Sequence, residues 1–382
     1  MANRALIIHA LFDILGGGEL FALRLAQALI EQGFDVEILT ATPVDQVKLR
    51  EIYGDIKLPR VKVRRVKETE YLSRLFPGRL VRLRRLIIYR KYLSFIEKAR
   101  REFDIVFDTQ SNLPTPADIS YIHFPALLPT KRGGLYWTIY NHLVNALAWK
   151  LKIPRSGRVL VNSTWTAHIV YLVYGVVPEV LYPPVDVEYF SEAASSESRD
   201  RLIITISRFT PEKELDKILD IAKNTPDYHF IIAGSTGPGS EKELSLLKAK
   251  KERLGLFNVE FKPSLPRHEL RRLLSEAMFY LHPPFIEHFG IAVIEAMSAG
   301  LVPIVYKDGG VWYDIVSKVS NILGYNRVED VLRIIRTLEG DRNFYFELRK
   351  KSIEVSKIFN YENFKENLME KIEYILRIKK LA

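Results

Sequence analysis

Two stretches of the sequence repeat one pattern: a short apolar run, a turn, a helix-like segment and a second apolar run. The first begins at residues 5–9 and passes through Gly16-Gly17-Gly18 into a helix predicted from Glu19, and the second begins at residues 201–206. Two strands joined through a helix run parallel, because the crossover returns the chain to the same end of the sheet. The pattern therefore predicts an α/β fold with two doubly wound, Rossmann-like sheets.

The chain is long enough for two domains. Its 382 residues exceed what one hydrophobic core ordinarily holds. Helix and strand patterns alternate through the second half, and Ser191–Ser198 has the Ser, Ala and Glu content of a linker. We therefore predict an N-terminal domain over residues 1–190 and a C-terminal domain over 191–358. A charged helix over 359–382 is expected to pack back toward the N-terminal domain.

Composition excludes several classes of protein. The chain has no cysteine, which excludes disulfides, thiolate metal sites and cysteine nucleophiles. It has no run of about 18 apolar residues, so no membrane-spanning helix is expected. The apolar stretch after Met1 is too short for a secretory signal peptide. A cytoplasmic location is expected.

Positive charge is concentrated in one part of the chain. The formal net charge is +10, and residues 57–101 contain 16 Lys or Arg against three Glu. Such a surface attracts the phosphates of nucleic acids, anionic lipids or phosphorylated substrates, although a solvated helix face explains the composition equally well. The aromatic-rich stretch 135–149 adds candidate interfacial anchors. We predict docking on an anionic membrane surface through Arg82, Arg84, Arg85 and Trp137.

Glycines or cations follow the first strand of each repeat. Gly16-Gly17-Gly18 lies where a helix begins, and glycine lets backbone N–H groups approach a phosphate there. The spacing is neither that of the dinucleotide fingerprint nor that of the P-loop, and a mobile loop is the alternative. Arg208 and Lys213 flank the corresponding turn of the second repeat. Two cations around a bend suit a diphosphate, with ordinary surface charge as the alternative.

The segment Glu287–Gly300 carries the most specific pattern. A helix is predicted from Ile291, and Glu295 is its one charged residue. A carboxylate on an apolar helix needs a partner, which is either the hydroxyl groups of a ligand or an internal arginine. Gly290 leaves the helix N-terminus open to a sugar or phosphate. Gly309-Gly310 ends the next predicted strand and indicates a second close approach of backbone.

A histidine follows a further strand-like stretch of the first half. Tyr121-Ile122-His123-Phe124-Pro125 comes after an apolar run at 104–107 and its polar continuation. Ligands of doubly wound sheets bind at the carboxyl ends of the strands, so His123 is a candidate site residue. A structural histidine with satisfied hydrogen bonds is the alternative.

Together these residues resemble a known family. Glu287 and Glu295, eight residues apart around Phe289-Gly290, are similar to the paired-glutamate motif of the large retaining GT-B glycosyltransferase family. The glycine turn, His123, Ser207–Lys213 and Gly309-Gly310 occur in the family's order, so the resemblance covers most of the chain. It implies the GT-B fold, in which two Rossmann-like domains face each other across a cleft.

Within the family, the sequence is most similar to the branch that adds α-1,2-mannose to dolichol-pyrophosphate-linked oligosaccharide on the cytosolic membrane face. The resembling stretches are Gly16-Gly17-Gly18-Glu19, Tyr121–Pro125, Val161–Thr166, Tyr182–Asp186, Ala233–Thr236 and Glu287–Ile291. The resemblance implies a retaining transfer of a hexose, mannose from GDP-mannose, to a lipid-linked saccharide acceptor by a protein peripheral to that membrane face.

The resemblance also implies a role for each matching residue. The donor diphosphate is expected to contact Gly17 and Gly18 and to be neutralised by Arg208 and Lys213. Donor sugar hydroxyls are expected at Glu287, the nucleotide ribose at Glu295, and the reacting sugar beside His123. The donor-binding segment continues through Phe289, Gly290 and Ile291, and the catalytic set is His123, Glu287, Arg208 and Lys213. No Asp-x-Asp motif is present, so a metal-independent donor site is expected, with the nucleotide sugar as substrate and no cofactor.

Some features depart from the family pattern and leave alternatives open. Val311-Trp312 stands where a proline is expected, and the basic segment 57–101 is peculiar to this chain, which puts the acceptor in doubt. One alternative is a UDP-sugar-dependent transferase acting on a phosphoinositol-type lipid or a soluble sugar. Others are a sugar-phosphate epimerase of the same fold, or a nucleic-acid-binding protein acting through the basic segment. No recognition module accompanies that segment, so nucleic acid is not expected as a partner.

Overall fold

The structure is a computed structural model. It describes residues 2–9, 12, 16–40, 49, 53, 62–65, 93, 95–126, 137–139, 141–143, 157–196, 199–237 and 239–381, with backbone only at 62–65. The chain forms two compact units: Met1–Tyr182 together with Phe364–Ala382, and Pro183–Asn363. The domain limits expected from the sequence, near residues 190 and 358, stay predictions.

The first unit is built on a parallel sheet. Its strands are β1 (Arg4–Ile8), β2 (Asp35–Thr40), β3 (Lys62–Arg65), β4 (Ile105–Asp108), β5 (Ile119–Ile122), β6 (Arg158–Val161) and β7 (Glu179–Val180), with helices α1 (Gly17–Glu31) and α2 (Thr164–Tyr174). The strand order is β3-β2-β1-β4-β5-β6-β7, and every pairing is parallel. The order reverses between β1 and β4, which is where doubly wound sheets bind ligands.

The second unit repeats this architecture. Its strands are β8 (Asp200–Ile206), β9 (His229–Gly234), β10 (Val259–Pro263), β11 (Ala277–Leu281), β12 (Val302–Tyr306) and β13 (Gly324–Tyr325). Its helices are α3 (Val187–Ser191), α4 (Asp216–Lys223), α5 (Ser240–Arg253), α6 (Arg267–Glu276), α7 (Ile291–Ser298), α8 (Val328–Gly340) and α9 (Arg342–Ser356). The order β10-β9-β8-β11-β12-β13 reverses between β8 and β11.

Both sheets are buried on two faces, as continuous apolar strands require. In the first unit Leu6, Ile8, Leu39 and Val106 form one cluster with residues of the helical segment before β4. In the second unit the central strands β11 and β12 are buried along nearly all of their length, and β8 is buried over residues 202–205. The α/β class predicted from the alternation of apolar runs is confirmed.

The element limits differ from the sequence prediction in two instructive places. The helix predicted from Glu19 begins at Gly17, so two of the three glycines are helical. The linker predicted at Ser191–Ser198 is wrong for residues 191–195, because helix α3 ends there and a 3₁₀ turn follows over Glu192–Ser195. Glu197 and Ser198 lie outside the described residues. Val187, Phe190 and Ala193 recur at a spacing of three and are buried, so this segment has a helical apolar face that its Ser and Glu content obscured.

The last helix, α10 (Tyr361–Leu381), contributes most of its length to the first unit. Phe364, Leu368, Ile372 and Ile375 are buried at helical spacing. The ion pairs Lys365–Glu31 (3.2 Å), Lys371–Glu179 (2.7 Å) and Lys379–Asp118 (3.1 Å) tie α10 to residues far away in sequence. None of the helices in the described ranges is long and apolar enough to span a bilayer.

Candidate functional site

In the second unit, the loops after β8 and β11 bring Lys213 and Glu287 into contact. The Lys213 Nζ donates to Glu287 Oε2 at 2.6 Å, and His282 Nε2 lies 3.9 Å from the same oxygen. Lys213 is placed by the 3₁₀ turn Pro211–Lys213, and its ammonium lies 4.1 Å from the centre of the Phe285 ring. The strand order of this unit reverses between β8 and β11, so the contact lies where a doubly wound sheet binds its ligand.

The charge of Glu287 is fixed by these neighbours. Burial acts to raise the pKa of the Glu287 carboxyl, but the His282 imidazole and the Lys213 ammonium beside it hold that pKa well below its usual range. Glu287 is therefore a carboxylate at any physiological pH, and can only accept hydrogen bonds. Sugar hydroxyl groups are suitable donors to such a group.

The backbone of Glu287 is held by the loop after β12. Glu287 and Gly309 form a parallel bridge outside the named strands. Gly309 has φ +80°, and a Cβ there would lie 2.3 Å from the Glu287 carbonyl oxygen. The close backbone approach expected at Gly309-Gly310 thus exists, with the protein's own Glu287 loop as the neighbour.

Helix α7 begins immediately after Glu287-His288-Phe289-Gly290. Gly290 has φ +111°, and a Cβ there would lie 2.8 Å from Val311 Cγ2, so a glycine is needed at this position. The helix has no side-chain cap at its N-terminus. Backbone N–H groups at such a helix end carry partial positive charge and suit an anion.

Glu295 is a half-buried residue of α7. Burial raises the pKa of Glu295 to about 7, partly offset by the charge of Arg267 and reinforced by that of Asp186. The arginine considered as an alternative partner is therefore nearby, but the Arg267 guanidinium donates its hydrogen bond to Asp186. Among the residues the structure describes, none makes a hydrogen bond or ion pair with the Glu295 side chain.

Three other residues expected at the donor site do not take part in the Lys213–Glu287 contact. The Arg208 side chain is exposed and lies 3.9 Å from Glu212, without joining the Lys213–Glu287 contact. The Phe289 ring is buried and packs edge-to-face on Phe359 at 5.6 Å, so Phe289 offers a ligand its backbone rather than its ring. Ile291 is half-buried at the start of α7.

In the first unit, the glycine turn is organised by Glu19. The Gly16 N–H donates to Glu19 Oε2 at 3.0 Å, and Glu19 Oε1 lies 3.7 Å from His9 Nε2. His9 Nδ1 lies 2.9 Å from Thr109 Oγ1. Burial acts to raise the pKa of the Glu19 carboxyl, but His9 and the backbone N–H groups of Gly16 and Glu19 hold it below its usual value. Gly17 and Gly18 are thereby fixed as the first residues of α1.

The structure brings Gly18 and His123 together. A Cβ on Gly18 would lie 3.6 Å from His123 Nε2, which is ordinary van der Waals contact. The imidazole ring also meets Phe21 at 5.6 Å and Tyr121 at 4.9 Å, both in edge contacts. His123 and the glycine turn, far apart in sequence, thus form one cluster at the carboxyl ends of β1 and β5.

Two members of these clusters were missed by sequence reasoning. His282 directly follows β11 and His9 directly follows β1, and both are buried. A polar residue that ends a buried strand beside a reversal of strand order is a usable signal. It was overlooked because each histidine continues an apolar run and reads as part of the strand.

Most residues that are predicted to dock on a membrane surface lie outside the described ranges. Arg82, Arg84 and Arg85 lie outside them, as do Tyr140, Leu147 and Trp149 of the aromatic stretch. Trp137 is described and half-buried, and Ile139 and Leu143 are each 46% exposed. At the end of the basic segment, the half-buried Arg100 pairs with the buried Asp118 at 2.9 Å.

Two family models together match nearly the whole chain. Residues 187–357 match the glycosyl transferases group 1 model, and residues 15–189 match the Glycosyltransferase Family 4 model. These two segments end and begin close to the limit between the two compact units.

Curated relatives share sequence with part of this chain. The human GDP-Man:Man(3)GlcNAc(2)-PP-Dol alpha-1,2-mannosyltransferase is 27% identical over 259 residues, covering 63% of this chain and 52% of the relative. The Mus musculus protein of the same name is 33% identical over 239 residues, covering 58% and 47%. The chain thus spans about half the length of the curated relatives it matches.

Solved structures share the fold over nearly the full length. Anabaena HepE in complex with UDP and glucose matches with a TM-score of 0.71 and 17% identity, covering 97% of this chain and 99% of that one. Sucrose-phosphate synthase from Thermosynechococcus elongatus matches with a TM-score of 0.71 and 14% identity, covering 98% and 100%. With two doubly wound units, each matched by a glycosyltransferase model, the chain belongs to the GT-B glycosyltransferases that carry a group 1 glycosyl transferase domain.

Proposed function

We propose that the protein transfers a hexose, mannose from GDP-mannose, to a lipid-linked saccharide acceptor. The observation that carries the transferase chemistry is the Lys213–Glu287 contact at the carboxyl ends of β8 and β11, beside an uncapped helix N-terminus. A cation, a carboxylate and backbone N–H groups are the three kinds of group that a nucleotide-sugar site uses, and their proximity supports the proposal. The choice of mannose and of a lipid-linked acceptor is supported by the names of the curated relatives.

The donor site is assigned to the second unit. Lys213 and Arg208 neutralise the diphosphate together with the N-terminus of α7, because charge accumulates on that group as it leaves. Glu287 accepts hydrogen bonds from sugar hydroxyls, and Glu295 accepts them from the ribose. Lys213 is bonded to Glu287, so each side chain orients the other, which lowers the ordering cost of donor binding.

The transfer is a displacement at the anomeric carbon. The acceptor hydroxyl oxygen forms the new glycosidic bond while the bond to the diphosphate breaks. The diphosphate keeps the electron pair, and the hydroxyl proton passes to an oxygen of the departing diphosphate. Attack on the face from which the diphosphate departs retains the anomeric configuration. From the family resemblance, we also assign Gly17 and Gly18 of the first unit to the diphosphate and His123 to the reacting sugar. No metal is assigned to the donor site.

Donor binding tests this proposal directly. A nucleotide sugar that binds the native state raises the melting temperature by mass action, and GDP-mannose is expected to do so more than UDP-glucose at equal concentration. Arg208→Ala and Lys213→Ala each remove a charge-assisted bond worth about 1.5–3 kcal/mol, so the Kd for GDP-mannose rises about 10- to 150-fold. Arg272→Ala is the matched control, since this exposed arginine pairs with Glu276 on α6.

The outcomes separate the competing functions. Stabilisation by UDP-sugars alone would favour the UDP-sugar alternative, and unchanged affinity in both cation variants would refute the assigned diphosphate contacts. A response to duplex DNA or RNA without any response to nucleotide sugars would favour the nucleic-acid alternative.

Membrane docking is proposed to bring the enzyme to its acceptor. The excess positive charge of residues 57–101 supports attraction to an anionic leaflet, where each contacting Lys or Arg adds about 1 kcal/mol. Co-sedimentation with anionic vesicles is expected to weaken as salt shortens the Debye length. Replacing Arg82, Arg84 and Arg85 with Glu is expected to reduce vesicle binding and lipid-acceptor turnover while donor hydrolysis is unchanged. Equal binding to neutral vesicles would exclude an electrostatic surface.

A further inference from the structure

The main chain of His123 is held on both sides by asparagine side chains. Asn112 Oδ1 accepts from the His123 N–H at 2.7 Å and from the Phe124 N–H at 3.4 Å. Asn162 Nδ2 donates to the His123 carbonyl oxygen at 3.0 Å. One asparagine thus acts as the acceptor and the other as the donor for a single residue.

Asn112 is itself rigidly placed. It has φ +57°, in the left-handed region that asparagine tolerates better than most residues. Its carbonyl oxygen accepts from the Ala126 N–H at 3.2 Å and from the Tyr174 hydroxyl at 3.0 Å. The preceding turn closes on Asp108, which accepts from the Ser111 N–H at 3.0 Å. The acceptor that faces His123 therefore belongs to a loop with few remaining degrees of freedom.

Asn162 is fixed from the other direction. It directly follows β6, is 5% exposed, and its Oδ1 accepts from Ser163 Oγ at 3.3 Å. Ser163 in turn caps α2 by accepting from the Thr166 N–H at 3.0 Å. The orientation of the Asn162 amide, with its nitrogen toward His123, follows from this network.

We propose that Asn112 and Asn162 are positioning residues that hold His123 against the glycine turn. Their bonds fix the backbone from which the imidazole projects, and that imidazole lies beside Gly18, Phe21 and Tyr121. The inference rests on the proposed function, in which His123 acts at the reacting sugar. Displacing a reacting group by about 1 Å costs on the order of 100-fold in rate, so loss of either bond is expected to lower kcat.

The main chain of His123 bonds to an acceptor at Asn112 and to a donor at Asn162, so different substitutions are expected to disrupt the two positions. Asn112→Gly keeps the left-handed backbone but removes the acceptor. Asn112→Asp keeps the acceptor for His123, and the oxygen that replaces its amide nitrogen faces the Gln110 carbonyl, 3.3 Å away, rather than His123. Asn162→Asp keeps size but turns an oxygen toward the His123 carbonyl. We expect kcat to fall about 10- to 100-fold in Asn112→Gly and Asn162→Asp, with the KM for the nucleotide sugar unchanged. Asn112→Asp is expected to stay within a few-fold of wild type.

A matched control separates positioning from stability. Asn258 in the second unit donates its amide to the carbonyls of Ala222, Thr225 and Tyr228, so Asn258→Asp loses bonds of the same kind away from His123. We expect Asn258→Asp to lower the melting temperature. Its kcat, normalised to the amount of protein that binds donor, is expected to be unchanged. Wild-type kcat in both Asn112→Gly and Asn162→Asp, or an equal loss in Asn112→Asp and Asn112→Gly, would overturn the proposal.

A second measurement does not depend on turnover. Hydrogen exchange at the His123 amide is expected to accelerate in Asn112→Gly and to stay slow in Asn112→Asp, because only the first loses the acceptor. Unchanged exchange in Asn112→Gly would overturn the positioning role. Failure of the wild-type protein to transfer sugar to any acceptor would instead refute the proposed function, and the exchange result would still decide whether the two asparagines hold His123.

Discussion

At the scale of single residues, the charge state of Glu295 is expected to change with pH near neutrality. The pKa of its carboxyl is raised to about 7, and ribose hydroxyls donate to the ionised form. The affinity for GDP-mannose is therefore expected to rise about tenfold between pH 6 and pH 8, as the ionised fraction grows from about a tenth to about nine tenths. Titration calorimetry at several pH values measures this. Glu295→Gln is the control, in which the affinity is lower and independent of pH.

The same carboxyl predicts a pH dependence of stability. The pKa of the Glu295 carboxyl is higher in the folded chain, about 7, than its ordinary value of 4.5. The bound proton therefore stabilises the native state at low pH, and this stabilisation is lost as pH rises through 7. Glu295→Gln is expected to exceed wild type in unfolding free energy by about 1–3 kcal/mol at pH 8 and to match it near pH 4. Urea unfolding at the two pH values decides this, and a less stable variant at pH 8 would show that Glu295 has a structural partner.

At the scale of secondary-structure elements, the start of α7 depends on Gly290. An alanine at this position has to adopt a positive φ, and its Cβ lies 2.8 Å from Val311 Cγ2. Gly290→Ala is therefore expected to lower the unfolding free energy by about 2–4 kcal/mol. It should also weaken donor binding, because the helix N-terminus moves. Gly340, at the end of α8, has nothing within 4 Å of an added Cβ, and Gly340→Ala is expected to be neutral or slightly stabilising. Equal effects of the two substitutions would contradict this account of Gly290.

At the scale of the whole molecule, the C-terminal helix completes the first unit. Leu368 of α10 is 1% exposed, so Leu368→Ala is expected to cost about 2–5 kcal/mol through lost burial and the remaining cavity. Proteolysis under native conditions should then cut first within the first unit, although the substitution lies near the end of the chain. Leu381 is 82% exposed, and Leu381→Ala is the control without effect. Unaltered urea unfolding in Leu368→Ala would mean that α10 is not needed to stabilise this unit.

How far the fold and the site follow from the sequence can be seen in particular residues. The apolar runs of β1 and β8 and the lone charge of Glu295 on an apolar helix are local patterns, and the structure keeps both the strands and the helix that they indicate. The Lys213–Glu287 bond joins residues 74 positions apart, and nothing in the local pattern specified it. The linker expected at Ser191–Ser198 is wrong over residues 191–195, because the segment from Val187 buries Phe190 and Ala193 on one helical face.

The sequence by itself determined the class of each unit, because the spacing of apolar residues fixes whether a segment buries its side chains as a strand or as a helix. It also determined which residue types were available for phosphate and sugar chemistry. The tertiary structure decided which of these residues contact one another. The reversal of strand order in the second unit puts β8 beside β11 and brings Lys213 to Glu287. In the first unit the neighbouring strands β4, β5 and β6 bring Asn112 and Asn162 to His123. Such contacts depend on which strands become neighbours, and that is set by the packing of the whole sheet.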